Sequence, residues 1–270
     1  MSERKKALIT LAAAGGVILL ILALGLTLPG GTATNFAEKS LSPSLAHPFG
    51  TDWLGRDMLA RTLKGLVFSI AVGLIAASVS TVIAVVLGIF AATFGKWADA
   101  LINFMVDLCQ GIPHILLMIL IAFVLGGGVR AIIVSMALTH WPSMTRLIRS
   151  EVMQLRSMPY VQVSRRLGRG RMHIAARHIL PHLWPQIIVG FILLFPHAIL
   201  HEASLTFLGF GLSVQQPAVG IILSEAMKYL ATGQWWLAFF PGLMLLIVVR
   251  LFDRLGDSAR MMVDPTKVHR

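Results

Sequence analysis

The stretch LVFSIAVGLIAASVSTVIAVVLGIFAAT, Leu66–Thr93, runs for 28 residues without a charged side chain. As a helix it is ~42 Å long at about 1.5 Å per residue, more than the roughly 30 Å hydrocarbon core of a bilayer. A span of that length tilts or continues beyond the lipid. The whole chain fits this reading. Of its 270 residues 56% are apolar and 13% charged, about half the charged share of a soluble domain, and the mean hydropathy is +0.79. The net charge of +11 does not form one basic domain. It is divided among short segments between apolar blocks, which points to membrane topology rather than nucleic-acid binding.

Five more segments read as crossings: Ala7–Leu28, Leu101–Leu125 with Asp107 and His114 inside it, Ala131–Thr145 with His140 and Pro142, Leu183–Leu208 interrupted at His201-Glu202, and Tyr229–Val249. The first run is longer than a signal-peptide core of about 7–15 residues and no A-x-A site follows it closely, so it reads as a retained anchor. Six crossings place both termini on one side. With the N-terminus inside, only Lys39, Arg56, Arg61, Lys64, Arg130 and Lys228 of the 23 basic residues lie outside. The positive-inside rule then makes both termini cytoplasmic, in a multi-pass protein of the cell membrane. The expected division is a tail and first helix (1–28), an external segment (29–65), a five-helix core (66–265) with an inner loop at about 150–182, and a tail (266–270).

Outside, HPFGTDWLGRD reads as an ordered turn region and Gly126-Gly127-Gly128 as a tight turn. AVGIILSEAMKYL is too apolar for a loop and reads as a short interfacial helix, with Trp235 and Trp236 in the aromatic belt. Cys109, the single cysteine, allows no internal disulfide and reads as a small buried thiol.

The inner segment holds SRRLGRGRMHIAARHILP, Ser164–Pro181, with Arg165, Arg166, Arg169, Arg171 and Arg177 and no acid. Topology alone places arginines here, and anionic lipid attracts them. There is more pattern than charge, however. Tyr160, Val161, Val163 and Leu167 have helical spacing, Gly168-Arg169-Gly170 breaks it, and Met172–Ile179 resumes it. Pro181 is expected to push Leu180 out of the α region and end the second helix there. The result is a helix–glycine–helix element that a partner can grip.

Tyr160–Pro181 resembles the cytoplasmic coupling motif of ABC importer permeases, E-A-A, three residues, Gly, nine residues, I-x-L-P. Gly168, Leu180 and Pro181 fall at the family spacing. Gln162, Val163 and Ser164 stand at the E-A-A positions and His178 at the Ile position, as departures. HPFGTDWLGRDMLART (His47–Thr62), EASLTFLGFGL (Glu202–Leu212), WWLAFFPG (Trp235–Gly242) and LGDSARMMVDP (Leu255–Pro265) are similar to the peptide and nickel importer permeases, second-permease type. The resemblance implies an all-α type I importer permease fold with six transmembrane helices and no cofactor. It also implies a second permease subunit, two ATPase subunits inside and a binding protein outside. In that reading Tyr160–Arg171 lies in an ATPase groove, with Gly168 as the turn. Tyr160, Leu167 and Met172 are then contacts, and Arg165, Arg166 and Arg169 polar or orienting groups. No G-x-x-x-x-G-K-[ST] occurs, so ATP hydrolysis belongs to another chain, and Gly168-x-Gly170 lacks the third glycine of a dinucleotide fingerprint.

Asp107, His114, His140, His197, His201 and Glu202 are ionisable groups within spans and therefore candidates for the translocation path. Each also has a structural reading: Asp107 and Glu202 as packing or loop anchors, His140 as a bridge at the Pro142 kink. His197 and His201, four apart, share a helix face and can place two imidazoles on one metal or on a helix interface. H-E-x-x-H fails at Leu205, which argues against an intramembrane hydrolase. A secondary transporter with its own ion coupling is the other alternative. Nine histidines and PHAILHE (Pro196–Glu202) favour nickel or a metal–chelator complex as cargo, with di- or oligopeptides as the alternative.

Overall fold

The structure is a computed structural model that describes residues 3–212 and 216–263. The expected tail 266–270 lies outside them. The order is α1 (Glu3–Thr27), α2 (Met58–Thr93), α3 (Lys96–Gly111), α4 (His114–Val124), α5 (Gly128–Arg156), α6 (Pro159–Arg166), α7 (Arg171–Ile174), α8 (Leu180–Phe207), α9 (Val219–Ala226) and α10 (Trp236–Val263). Short 3₁₀ turns cover Phe36–Glu38 and Leu230–Thr232. Extended pairing among the described residues is limited to the isolated bridge Thr51–Asp57.

Among the described residues four helices are long and apolar enough to cross a membrane: Arg4–Thr27, Met58–Thr93, Arg171–Phe207 and Trp236–Met262. The α3–α4 pair, bent by 92°, makes a fifth if counted as one span. The expected crossing Ala131–Thr145 is the middle of α5. That helix has 29 residues, enough for a span by length, but its polar content keeps it out of the apolar class. Its buried face, including Ile132, Met136, Trp141, Ile148 and Val152, lies against protein rather than lipid. Leu19, Leu26, Val82, Val86, Phe104 and Phe123 stay exposed, as side chains in a lipid solvent can.

Helix α2 is the central post. It packs most extensively on α5 and also on α8, α1 and α3. Its face toward α5 is small, with Ala77, Ser80, Thr81, Ala84, Gly88 and Ala91 buried, which lets two backbones approach without large side chains between them. A Cβ on Gly88 would stand 2.8 Å from Ile148 Cγ2 and 3.1 Å from the Thr145 carbonyl oxygen. Gly88→Val is therefore expected to overpack the contact and cost about 1–3 kcal/mol. Thermal unfolding in detergent checks this, and an unchanged midpoint would contradict so close an approach.

The structure corrects several boundaries. Helix α2 starts at Met58 because Asp57 caps it, its side chain accepting from the Ala60 N–H at 2.9 Å; Arg61 and Lys64 are thus helical. Helix α10 starts at Trp236 rather than Tyr229, because a left-handed Gly233 (φ +84°) ends the preceding 3₁₀ turn. The His201-Glu202 interruption is absent, and α8 runs through to Phe207. Leu180 is not expelled from the α region: its φ and ψ are −55° and −43°. A π-helical turn over Ala175–Ile179 precedes it. That change of hydrogen-bond register accommodates Pro181, so one helix continues from Arg171 to Phe207. Helix α9 is not a surface helix. Val219, Gly220, Ile221, Ile222 and Ala226 are buried, against α8 and α10. Trp236 is likewise core, with Nε1 donating to the Thr51 carbonyl at 3.2 Å; Trp235 remains half exposed.

Candidate functional site

At one end of the bundle, α5 ends at Arg156 and the chain turns into α6, with Pro159 in the first turn where a missing N–H costs nothing. The helix stops in a Schellman arrangement. Gly168 N–H donates to the Arg165 carbonyl at 3.1 Å and Arg169 N–H to the Ser164 carbonyl at 3.2 Å, with Gly168 at φ +80°. Val161 and Ser164 face inward. Tyr160, Val163, Leu167 and Met172 face outward, at 40%, 55%, 76% and 68% exposure, and arginines 165, 166 and 169 are exposed among them. Tyr160, Val163, Leu167 and Arg169 line an open cavity of about 750 Å³ with His173 and His178.

Two arginines hold this element to α2. Arg171 Nη1 donates to the Phe94 carbonyl at 2.9 Å and Arg156 Nη1 to the Ala92 carbonyl. Both carbonyls belong to the C-terminal end of α2, where acceptors lack helical partners and positive charge is favoured. Arg171 is therefore an anchor, a role its place in a charge run did not reveal. The departures from the family motif also touch: His178 Nε2 lies 3.1 Å from Ser164 Oγ. A polar pair there substitutes for an apolar one. Ser164→Ala or His178→Ile alone is expected to destabilise by about 1–3 kcal/mol through the partner left behind, and the double variant by less than the sum. Strict additivity in a double-mutant cycle would contradict the pairing.

Among the candidates within spans, His114, His140 and His201 come together. One ring nitrogen from each lies within 4.8 Å of the other two. They arrive on separate helices: His114 opens α4 just after the bend at Pro113, His140 is mid-α5 and His201 lies on α8. The rings line a cavity of about 480 Å³ with His197 and Cys109. The structure thus pairs His201 with His140 (Nδ1···Nε2 3.1 Å) instead of with His197. Cys109 is only partly buried. His140 Nδ1 lies 3.0 Å from the Met136 carbonyl. The Leu138 carbonyl, freed by the missing N–H of Pro142, is instead satisfied by Trp141 Nε1 at 2.9 Å. Asp107 is not in the cavity, and pairs with Arg146 at 2.5 Å in an exposed position. Glu202 is fully buried, its Oε1 accepting from Thr206 Oγ1 at 3.0 Å.

At the opposite end of the bundle lies a cluster missed as such from sequence. Asp52 is completely buried and takes Arg56 Nε at 2.6 Å and Arg61 Nη1 at 3.0 Å; Arg61 Nη2 reaches Glu225 of α9 at 2.5 Å. Trp53 stacks on Tyr229 at 4.5 Å and Phe49 on Phe240 at 4.4 Å. The only sequence signal was a set of charges in a Gly-rich turn and one acid in an apolar run.

The helical chain thus exposes the apolar and basic side chains of α6 at one end and closes its other end with the Asp52–Arg61–Glu225 network. Residues 84–259 match the family of binding-protein-dependent transport system inner membrane components, and the chain belongs to that family. It is 33% identical over 231 residues to the dipeptide transport system permease protein DppC of Bacillus subtilis, covering 86% of this chain and 72% of that one. It is 34% identical over 249 residues to DppC of Alkalihalophilus pseudofirmus, covering 92% and 82%. Among solved structures, the inward-facing MetNI methionine ABC transporter is similar in fold, with a TM-score of 0.59 at 20% identity, over 77% of this chain and 98% of that one. The chain is an ABC importer permease in a multi-pass membrane arrangement, not an enzyme.

Proposed function

We propose that this chain is one of two membrane subunits of an ATP-driven importer of di- or oligopeptides. It works with a second permease, two ATPase subunits and an extracytoplasmic binding protein, surrounded by membrane lipid. Its termini are cytoplasmic, residues 29–65 external, and 66–265 the core, following the distribution of basic residues. The observation that carries the coupling role is the exposed strip Tyr160, Val163, Leu167 and Met172 on a short helix–turn–helix element, rimmed by Arg165, Arg166 and Arg169. Gln162 flanks the strip. Gly168 shapes the turn, and Ser164, Leu180 and Pro181 connect it to α8. Closure of an ATPase pair displaces this element and, through the continuous helix Arg171–Phe207, rocks the bundle.

The cargo reading rests on the relatives, which are named for dipeptide transport; that favours the peptide alternative over nickel. Nickel or a metal–chelator complex is the second reading, supported by the converging histidines. Uptake of labelled dipeptide and of labelled nickel in a strain lacking this chain separates them. Peptide uptake is expected to vanish and return on complementation. Loss of nickel uptake with unchanged peptide uptake would reverse the assignment.

A further inference from the structure

We propose that His114, His140 and His201 form a binding site for one divalent transition-metal ion of the zinc or nickel class. In this role the ion is resident, tying three helices together, and the proposal does not depend on which cargo the importer carries. Three imidazoles from three different helices converge in a cavity with no carboxylate among its lining residues, and imidazole suits borderline ions such as Zn²⁺, Ni²⁺, Co²⁺ and Cu²⁺. Their spacing fits. With metal–nitrogen bonds of about 2.0–2.1 Å a tetrahedral site has ligand atoms roughly 3.3 Å apart, and His140 Nε2 and His201 Nδ1 are already 3.1 Å apart. All three ligand atoms lie within 4.8 Å, so a modest ring movement closes the site.

Two further observations point to a ligand. His114 Nε2 is buried and has no hydrogen-bond partner among the described residues, a costly arrangement for a polar atom away from water. His140 Nδ1–H donates outward to the Met136 carbonyl at 3.0 Å, which leaves the Nε2 lone pair facing the other rings. Such an outer carbonyl is what orients a metal-bound histidine. In the metal-free pair His201 Nδ1–H donates to His140 Nε2. Binding replaces that hydrogen bond with two metal–nitrogen bonds, and the proton of His201 moves to its Nε2. The fourth position faces the cavity that Cys109 and His197 also line. Because His114 follows the 92° break between α3 and α4, an ion here fixes that bend against α5 and α8.

The test uses the full chain purified in detergent with its co-purifying subunits, through an affinity tag that contains no histidine. Cobalt(II) is titrated in and followed by its visible absorption. The expected result is one saturable Co²⁺ per chain with four-coordinate bands, displaced by Zn²⁺. His114→Gln and His201→Gln are each expected to weaken binding beyond the roughly 10–100-fold typical of losing an outer partner. Zn²⁺ is also expected to raise the melting temperature of the wild-type chain and not of His201→Gln, because a ligand bound only by the folded state stabilises it. His140 is left intact because it is buried. Size-exclusion profiles matching wild type show that the variants are folded. If the wild-type chain gives no saturable bands, or a folded His114→Gln/His201→Gln double variant binds cobalt as tightly, the proposal is wrong.

Discussion

Replacing Asp52 with alanine is expected to cost about 3–5 kcal/mol, the usual penalty for removing one partner of a buried ion pair. The Asp52 carboxylate is fully buried and fully engaged. Oδ1 accepts the N–H groups of Leu54 and Arg56 at 2.9 and 3.0 Å, and Oδ2 receives Arg56 Nε and Arg61 Nη1 at 2.6 and 3.0 Å. Without it, Arg61, itself buried, shares Glu225 with Arg56 as the remaining acid of the network. Two guanidinium groups then face one carboxylate, and two turn amides lose their acceptor. The turn also positions Trp53 against Tyr229 and holds the start of α2 against α9, so the loss reaches the packing at this end of the bundle. Asp57→Ala, which removes the cap of α2, is the internal comparison at about 0.5–2 kcal/mol. Melting of the detergent-solubilised chain ranks the two. If Asp52→Ala is no more damaging than Asp57→Ala, the network does not hold this end of the bundle together.

Leu167→Asp is expected to abolish ATP-driven uptake while leaving the chain folded in the membrane. Leu167 is 76% exposed at the end of α6, and exposed substitutions usually change stability by less than about 0.5 kcal/mol. If the residue is covered by an ATPase, a carboxylate in an apolar contact costs at least ~2 kcal/mol, a loss of roughly 30-fold in subunit affinity. Gly168→Asp acts on the same element by another route. A Cβ at Gly168 meets nothing within 4 Å, so the cost is the strain of a left-handed residue, about 1–2 kcal/mol. Both variants are expected to reach the membrane at wild-type levels. Normal uptake with Leu167→Asp would remove this strip from the coupling surface.

The spans and the glycine turn were legible because each is written locally. Leu66–Thr93 announces itself by the absence of charge, and Gly168 by standing between two helical patterns. The π turn before Leu180 was not legible, because the rule that the residue before proline avoids the α region carries no term for a shift in hydrogen-bond register. Helix α9 was misplaced for a related reason. Its apolar residues look alike whether lipid or protein covers them, and only packing against α8 and α10 distinguishes the two. The histidine cluster needed tertiary structure outright: His114 and His201 are 87 positions apart in sequence, and periodicity joined His201 to His197 instead. Arg171 shows the limit of reading charge. Topology explains why an arginine stands there, but only the structure gives it the Phe94 carbonyl.

The central claim is that the strip on α6 meets a separate ATPase. It is tested most directly by cysteine cross-linking, because Cys109 is the sole cysteine and Cys109→Ser gives a clean background. In that background Leu167→Cys is treated with a short bifunctional thiol reagent in native membranes, beside Phe36→Cys at the opposite end. The account predicts that Leu167→Cys yields one adduct containing a nucleotide-binding subunit, with an efficiency that changes when ATP is added, and that Phe36→Cys yields none. An ATPase adduct at Phe36→Cys, or its absence at Leu167→Cys in a complex that still transports, would contradict it.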